Sequence, residues 1–214
     1  MSSTVAQNVY QKRLAHSKVV YVADKNLLVD TGIDSEWDAL QEFLEDHGDV
    51  DRLFLSHAHG DHVGNAERVV AEYDLEVFVP ENEPFDELDL GDTTITTVTD
   101  GQEFVPGVTA VEVPGHTEGI CALYLPQKEL LLCTDILDGA DRRGLPAGFL
   151  LPPPAMYNWD SKKAETNLEK LLELSFNTAV VTHGTNVTDD PKIQLKKYLD
   201  FPNHYRQELL ENIS

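Results

Sequence analysis

Apolar positions along this chain recur with two spacings, and the switches between them mark out the elements. Residues 18–22 and 25–30 are short apolar runs joined by Ala23-Asp24, which predicts a hairpin entering a first sheet. From 35 to about 46 the spacing lengthens to that of a helix, with Trp37, Leu40, Phe43 and Leu44 on one stripe. Ser35 with Asp38 makes a weak capping box at its start, and Gly48 is placed to stop it. Leu53-Phe54-Leu55 reads as a buried strand, and a helix beginning near Gly64 buries Ala66, Val69, Val70 and Tyr73. Residues 75–79 form the next strand, ended by Pro80, and the acidic, proline-interrupted stretch 81–92 reads as loop. A second run of strands follows at 93–98, 108–113, 120–125 and 129–134, with Pro126-Gln127 turning the last pair.

Residues 138–156 carry Gly139, Gly144, Pro146, Gly148 and Pro152-Pro153-Pro154, interleaved with Arg142, Arg143 and apolar side chains. Loops this long serve either as a pocket wall or as a plain linker. Asp160 or Ser161 caps a helix with the stripe Ala164, Leu168, Leu171 and Leu172. Residues 179–182 form one more strand, and Pro191 opens a helix running to about 199. Residues 1–17 show no strong period. Strands alternating with helices in two successive series predict an α/β fold in which two sheets pack face to face with helices outside. Residues 1–214 are taken as a single domain, although length alone would also allow two small ones, and that length buries about 70% of the unfolded-chain surface, so no staple is needed for a core.

Charge narrows the functional classes. The chain has 38 acidic against 16 basic residues, a net charge of −22, with the acids spread along its length. Such a surface repels nucleic acid and anionic membranes, so neither is expected as a partner, and a small-molecule substrate is. The composition is like that of halophilic proteins, whose self-repulsion is screened by concentrated salt. No window approaches 18 consecutive apolar residues and the N-terminus has no leader-like pattern, so a cytoplasmic location is expected. Cys121 and Cys133, the only cysteines, sit in apolar runs and read as small buried hydrophobes. A sharper reading makes Cys133 a pocket residue.

The chemistry concentrates in residues 57–62, His57-Ala58-His59-Gly60-Asp61-His62, which hold three of the eight histidines. In an extended segment side chains at i and i+2 point the same way, so His57 and His59 can share one metal ion. Gly60 lets the backbone turn, so that Asp61 and His62 can face a second ion. Imidazole and carboxylate suit Zn²⁺, Mn²⁺ or Fe, whereas Mg²⁺ and Ca²⁺ take oxygen shells. A closed structural zinc site is disfavoured, because those use several cysteines and none is near. Three other histidines are set aside: His16 as solvent-facing, His47 as a surface residue at a helix C-terminus, and His204 in a short C-terminal helical piece.

This motif resembles the signature of the metallo-β-lactamase superfamily. The resemblance extends from about residue 19 to 184 through Asp30-Thr31-Gly32, Pro114-Gly115-His116-Thr117, Asp135 at a strand end and His183-Gly184 at another. It implies an αββα sandwich with the metals at one edge between the sheets. One metal would take His57, His59 and His116, the other Asp61, His62 and His183, with Asp135 bridging both. Asp61 and Asp135 would be the catalytic carboxylates, Asp61 also relaying a proton. Asp30 is either a residue that orients a histidine ring or a simple turn-former.

The cofactors implied are two divalent ions, Zn²⁺ first, with Fe or Mn as alternatives. A water bridging ions about 3.5–4 Å apart loses its proton near neutral pH, and the hydroxide would attack an acyl carbon whose carbonyl a metal polarises. The activity implied is hydrolysis of a small thioester, lactone or related ester or amide, as in glyoxalase II or the lactonases. A mononuclear iron oxidoreductase resembling the persulfide dioxygenases is the alternative, and a non-catalytic binding domain a third. The chain departs from the family's pattern at Glu118, where many relatives have proline, adding a carboxylate near the site mouth that Arg142 or Arg143 could offset. Glyoxalase II-like enzymes also have a C-terminal helical extension that binds a glutathione moiety, and little of it fits in the residues after His183. Oligomeric state is left open.

Overall fold

The central strands carry no polar face because both of their faces are covered. In the computed structural model, which describes residues 2–200, the first seven strands form one sheet in chain order. These are β1 (Ser2–Ala6), β2 (Val9–Leu14), β3 (Ser17–Val22), β4 (Leu27–Val29), β5 (Arg52–Phe54), β6 (Glu76–Pro80) and β7 (Ile95–Val98). Pairing is antiparallel from β1 to β4 and parallel from β4 to β7. A second sheet has the order β14-β11-β10-β9-β8, built from β8 (Glu103–Val105), β9 (Val108–Glu112), β10 (Cys121–Leu125), β11 (Leu130–Thr134) and β14 (Thr178–Val181). Its only parallel pair is β11 with β14. A small hairpin, β12 (Asp138–Gly139) with β13 (Leu150–Leu151), stands apart.

Period-two alternation sorts the strand side chains into three apolar layers. Val20, Val22, Val29, Phe54 and Phe78 of the first sheet meet Ala110, Cys121, Leu123, Leu132 and Val180 of the second. The opposite face of the first sheet, with Val19, Tyr21, Leu28, Leu53 and Val77, is covered by α1 (Trp37–His47) through Leu40, Phe43 and Leu44. The short α2 (Gly60–Val63) and α3 (Ala66–Glu72) complete that cover through Val63, Ala66 and Val69. The outer face of the second sheet, with Val111, Leu131, Cys133 and Val181, packs on Leu168, Leu171 and Leu195. The first two come from the 3₁₀ segment Asn167–Glu173 that continues α4 (Ser161–Thr166), and Leu195 from a helix at 191–200. The fold is therefore the expected αββα sandwich. Among the described residues no helix is long and apolar enough to cross a membrane.

Several local expectations are corrected. Residues 2–14 form a β-hairpin; their period is masked because β1 is an edge strand with Ser2, Ser3 and Thr4 exposed. The strand near 95 belongs to the first sheet, returning parallel to β6 after the 81–92 loop. The three-residue edge strand β8 gave too few positions to show a period. Ser35 lies in a 3₁₀ turn, Asp34–Glu36, and no side chain caps α1, whereas Gly48 does close it by donating to Leu44 O. Asp160 caps α4 by accepting from Lys163 N at 3.0 Å. Cys133 packs among Leu131, Ala179 and Leu168, and burial pushes its thiol pKa up, so it lines no pocket at the sheet edge. His47 bonds Phe43 O through Nδ1 at 2.7 Å and lies against Tyr10 and Phe43. His204 lies outside the described residues.

Two glycines of the loop after β5 differ in what a side chain would meet. A Cβ on Gly64 would lie 2.4 Å from Asp34 N and 2.8 Å from Gly32 O, while one on Gly60 meets nothing within 4 Å. Gly64→Ala is therefore expected to destabilise the protein by about 1–3 kcal/mol, the usual cost of forced overpacking. Gly60→Ala is expected to leave stability within about 0.5 kcal/mol, as an unstrained surface change does. Urea unfolding of both variants checks this; equal effects would contradict the packing described.

Candidate metal centre

Strand ends deliver most of the site. Asp30 directly follows β4, Asp135 follows Thr134 at the end of β11, and His183 lies two residues past β14. After β5 the backbone stays extended as far as His59 (φ −70°, ψ 143°), which puts His57 and His59 on one side. It then coils into α2, which turns Asp61 and His62 toward the other side. His116 comes from the turn after β9, where Gly115 N donates to Thr117 O at 2.9 Å.

The seven side chains singled out in the sequence converge. His57, His59 and His116 form one group of donor atoms, His57, His62 and Asp135 a second, and Asp61, His62 and His183 a third; within each, the donor atoms lie within 4.8 Å of one another. His116 Nε2 is 3.0 Å from His59 Nδ1. The Asp135 carboxylate sits between the halves, 3.4 Å from His62 Nε2, 3.2 Å from His183 Nε2 and 3.6 Å from His116 Nε2. Asp61 Oδ2 is 3.2 Å from His183 Nε2. His57, His62, His116, Asp135 and His183 are buried, whereas His59 and Asp61 are partly exposed and mark the open side.

Four of the five rings are held by the nitrogen that faces away. His62 Nδ1 donates to Asp30 Oδ2 at 2.8 Å, and His183 Nδ1 to the carbonyl of His16 at 2.8 Å. His116 Nδ1 is 3.0 Å from Asn158 Oδ1. His57 Nδ1 is 3.0 Å from Ser56 Oγ, whose own proton goes to Asp30 Oδ2 at 2.9 Å. Asp30 also accepts from Ser56 N at 2.8 Å, so this one carboxylate orients His62 directly and His57 through Ser56. That settles the role left open for Asp30.

Some of the inward atoms are left unsatisfied. His57 Nε2, His62 Nε2 and Asp135 Oδ1 are buried without a hydrogen-bond partner, which costs free energy that a bound cation would recover. Five imidazoles and two carboxylates facing inward, with the outward nitrogens of four of the rings held by oxygen atoms, fit a divalent transition-metal ion.

The electrostatics divide the rings. Burial lowers the pKa of His57 far below its ordinary value, helped by the charge of His62, whose ring centroid is 4.0 Å away. Burial likewise brings His116 down to about 4. For His62 burial acts the same way, but Asp135 and Asp30 outweigh it and hold the pKa well above the ordinary value. His183 is raised to about 9, because Asp135 and Asp61 overcome the burial effect. Burial alone would raise Asp61, yet His183 and His62 bring it down to about 2.

Three contributors escaped the sequence reading. Asn158 lies in a loop with nothing to flag it as a histidine partner, and Ser56 reads only as a strand-end serine. His16, set aside as solvent-facing, supplies the carbonyl that fixes His183; its ring is largely exposed, yet Nε2 lies 3.6 Å from Asp61 Oδ2. The 138–156 loop is tied to the site and is no free linker, since Gly139 N donates to His183 O at 2.9 Å. Asp138 is buried there, its pKa raised to about 6 by burial and by the charge of Asp135. Arg142 pairs with Asp138 at 2.8 Å and lies over the Tyr157 ring, and Arg143 bonds Pro152 O, so both arginines brace the loop. Glu118 is exposed.

A hydroxyacylglutathione hydrolase of Ectopseudomonas mendocina is 37% identical over 99 residues, covering 44% of this chain and 37% of that protein. One from Brucella anthropi is 30% identical over 138 residues, covering 61% of this chain and 46% of its own length. The chain thus spans less than half the length of these relatives. A probable metallo-hydrolase of Methanocaldococcus jannaschii is 26% identical over 170 residues, 70% of this chain and 82% of its own. Among solved structures, a metallo-β-lactamase from Pontibacter korlensis superposes with a TM-score of 0.74 over 94% of this chain and 97% of its own, at 19% identity, a likeness of fold. The model of the metallo-beta-lactamase superfamily matches residues 14–183, and the chain belongs to that superfamily.

Proposed function

We propose that this chain, folded as one domain over residues 1–214, is a metal-dependent hydrolase working on a pair of divalent ions, zinc first. His57, His59 and His116 would hold one ion, Asp61, His62 and His183 the other, and Asp135 would be shared between them. The observation that carries this reading is the position of Asp135, whose carboxylate lies within 3.6 Å of nitrogens from both halves while its Oδ1 has no hydrogen-bond partner. A complete second set, Asp61 with His62 and His183, supplies donor atoms for a second ion.

Bound ions supply Lewis acidity toward a carbonyl and a water made nucleophilic near neutral pH. The chain's own residues do the rest. Asp30, Asn158 and the His16 carbonyl keep the imidazoles oriented before substrate arrives, so no reorganisation is left for the reaction itself. Asp61, on the open side and ionised throughout the neutral range, is placed to take a proton and pass it outward. Buried Asp135 stays a carboxylate and balances charge at the centre.

The substrate class proposed is a small acyl compound, with thioesters ahead of lactones and other esters or amides. Its support is the likeness to proteins named hydroxyacylglutathione hydrolase. The chain covers less than half of those relatives, so the glutathione part is not carried over with the acyl chemistry. The net charge of −22 supports activity in concentrated salt with no nucleic-acid or membrane partner, and the location proposed is the cytoplasm.

Elemental analysis after zinc loading should give two ions per chain, and thioester turnover should be highest in molar KCl. One iron per chain with sulfur-dependent oxygen uptake would overturn this reading in favour of the oxidoreductase. Asp30→Asn should weaken metal binding by about 10- to 100-fold, the usual effect of removing a partner behind a ligand, as read by chelator competition. An unchanged affinity would contradict the role given to Asp30.

Loading should also release protons. In the metal-free protein His183 is raised to about 9, so it carries at pH 7 an extra proton that metal must displace, and His62 is shifted in the same direction by Asp135 and Asp30. Calorimetric titration in buffers of different ionisation enthalpy should report net proton release on metal loading at pH 7. From pH 7 to 9 the share released by His183 should fall, because its pKa is about 9. No buffer dependence would contradict the charge distribution described.

A further inference from the structure

Glu83 lies in the acidic stretch after β6, which the sequence presents as plain loop, yet its side chain is buried. Its carboxylate touches both loops of the three-histidine half. Oε1 accepts from Ala58 N at 2.9 Å, and Ala58 stands between His57 and His59. Oε2 accepts from Thr117 Oγ1 at 2.6 Å and from Gly119 N at 3.0 Å, and Thr117 directly follows His116. The approach is close enough to require glycine at 119, where a Cβ would lie 2.3 Å from Glu83 N.

A buried carboxylate is costly unless its oxygens are satisfied, and here three donors from two separate loops satisfy it. No donor comes from the loop carrying His183 or from the turn carrying Asp61 and His62. The bonds therefore fix the distance between the His57–His59 segment and His116 without acting directly on the other half.

We propose that Glu83 is a positioning residue, the staple that sets the spacing of His57, His59 and His116 and so the affinity of that metal position. This rests on the metal-pair reading above. It adds an asymmetry, since one carboxylate outside the cage governs one ion and not its neighbour.

Glu83→Gln is the test, because it keeps the shape while turning one acceptor into a donor that faces N–H or O–H groups. Zinc affinities of the two equivalents are resolved by chelator competition, alongside the thermal midpoint of the metal-free protein. The expected result is one equivalent weakened by about 10- to 100-fold, the range for a partner behind a ligand, and the other held within about threefold. In a His116→Ala background, which already disables that position, Glu83→Gln should leave the remaining ion unaffected, as coupled changes do. A fall in the metal-free midpoint with both affinities unchanged would overturn the proposal and leave Glu83 a structural residue. Equal weakening of both ions, or further weakening in the His116→Ala background, would overturn it too. Failure of the parent protein to bind any metal would instead remove the metal-pair reading, and this inference with it.

Discussion

The site depends on one buried carboxylate. Asp30 carries negative charge into a nearly water-free position, and that is tolerable only because Ser56 N, Ser56 Oγ and His62 Nδ1 all donate to it. Those bonds do more than satisfy the charge. They choose which nitrogen of His62 faces inward and, through Ser56, do the same for His57. The two rings belong to opposite halves of the cage, so Asp30 joins the halves from behind while Asp135 faces both from within.

The fold explains how these groups meet. β4 and β5 are parallel neighbours in the first sheet, and β11 and β14 are parallel neighbours in the second. Asp30, the His57 loop, Asp135 and His183 therefore all emerge from carboxyl ends of parallel strands, where α/β sheets leave a crevice. Packing Phe54, Val29, Leu132 and Val180 against one another between the sheets brings those four ends together. The apolar layers are thus what fix the distances between polar groups that would otherwise repel or compete.

Much of this was legible in the sequence, for identifiable reasons. His57 and His59 declare themselves by i, i+2 spacing, whereas His116, Asp135 and His183 stood out through the resemblance to the metallo-β-lactamase superfamily, each beside a turn or strand-end signal. The four layers were legible because strands covered on both faces read as continuous apolar runs. Partners that act across the fold were not. Asn158 and Glu83 sit in irregular segments where no period tells which way a side chain points. His16 acts through its carbonyl, which any residue would supply, so its identity carries no signal. The β1–β2 hairpin was hidden by the polar outer strand of a sheet edge, and the sheet that β7 joins, though not the strand itself, by a loop that returns the chain to the sheet it had left.

The central claim is that the inward-facing atoms are a cage for two ions. Diffraction from crystals of the zinc-loaded protein, measured on both sides of the zinc absorption edge, tests it most directly. The account predicts two anomalous peaks about 3.5–4 Å apart, as in other two-metal sites. One should lie at His57 Nε2, His59 Nδ1 and His116 Nε2, the other against Asp61, His62 and His183, with Asp135 touching both. A single peak in one half would contradict the pair, and peaks only elsewhere on the surface would contradict the cage itself.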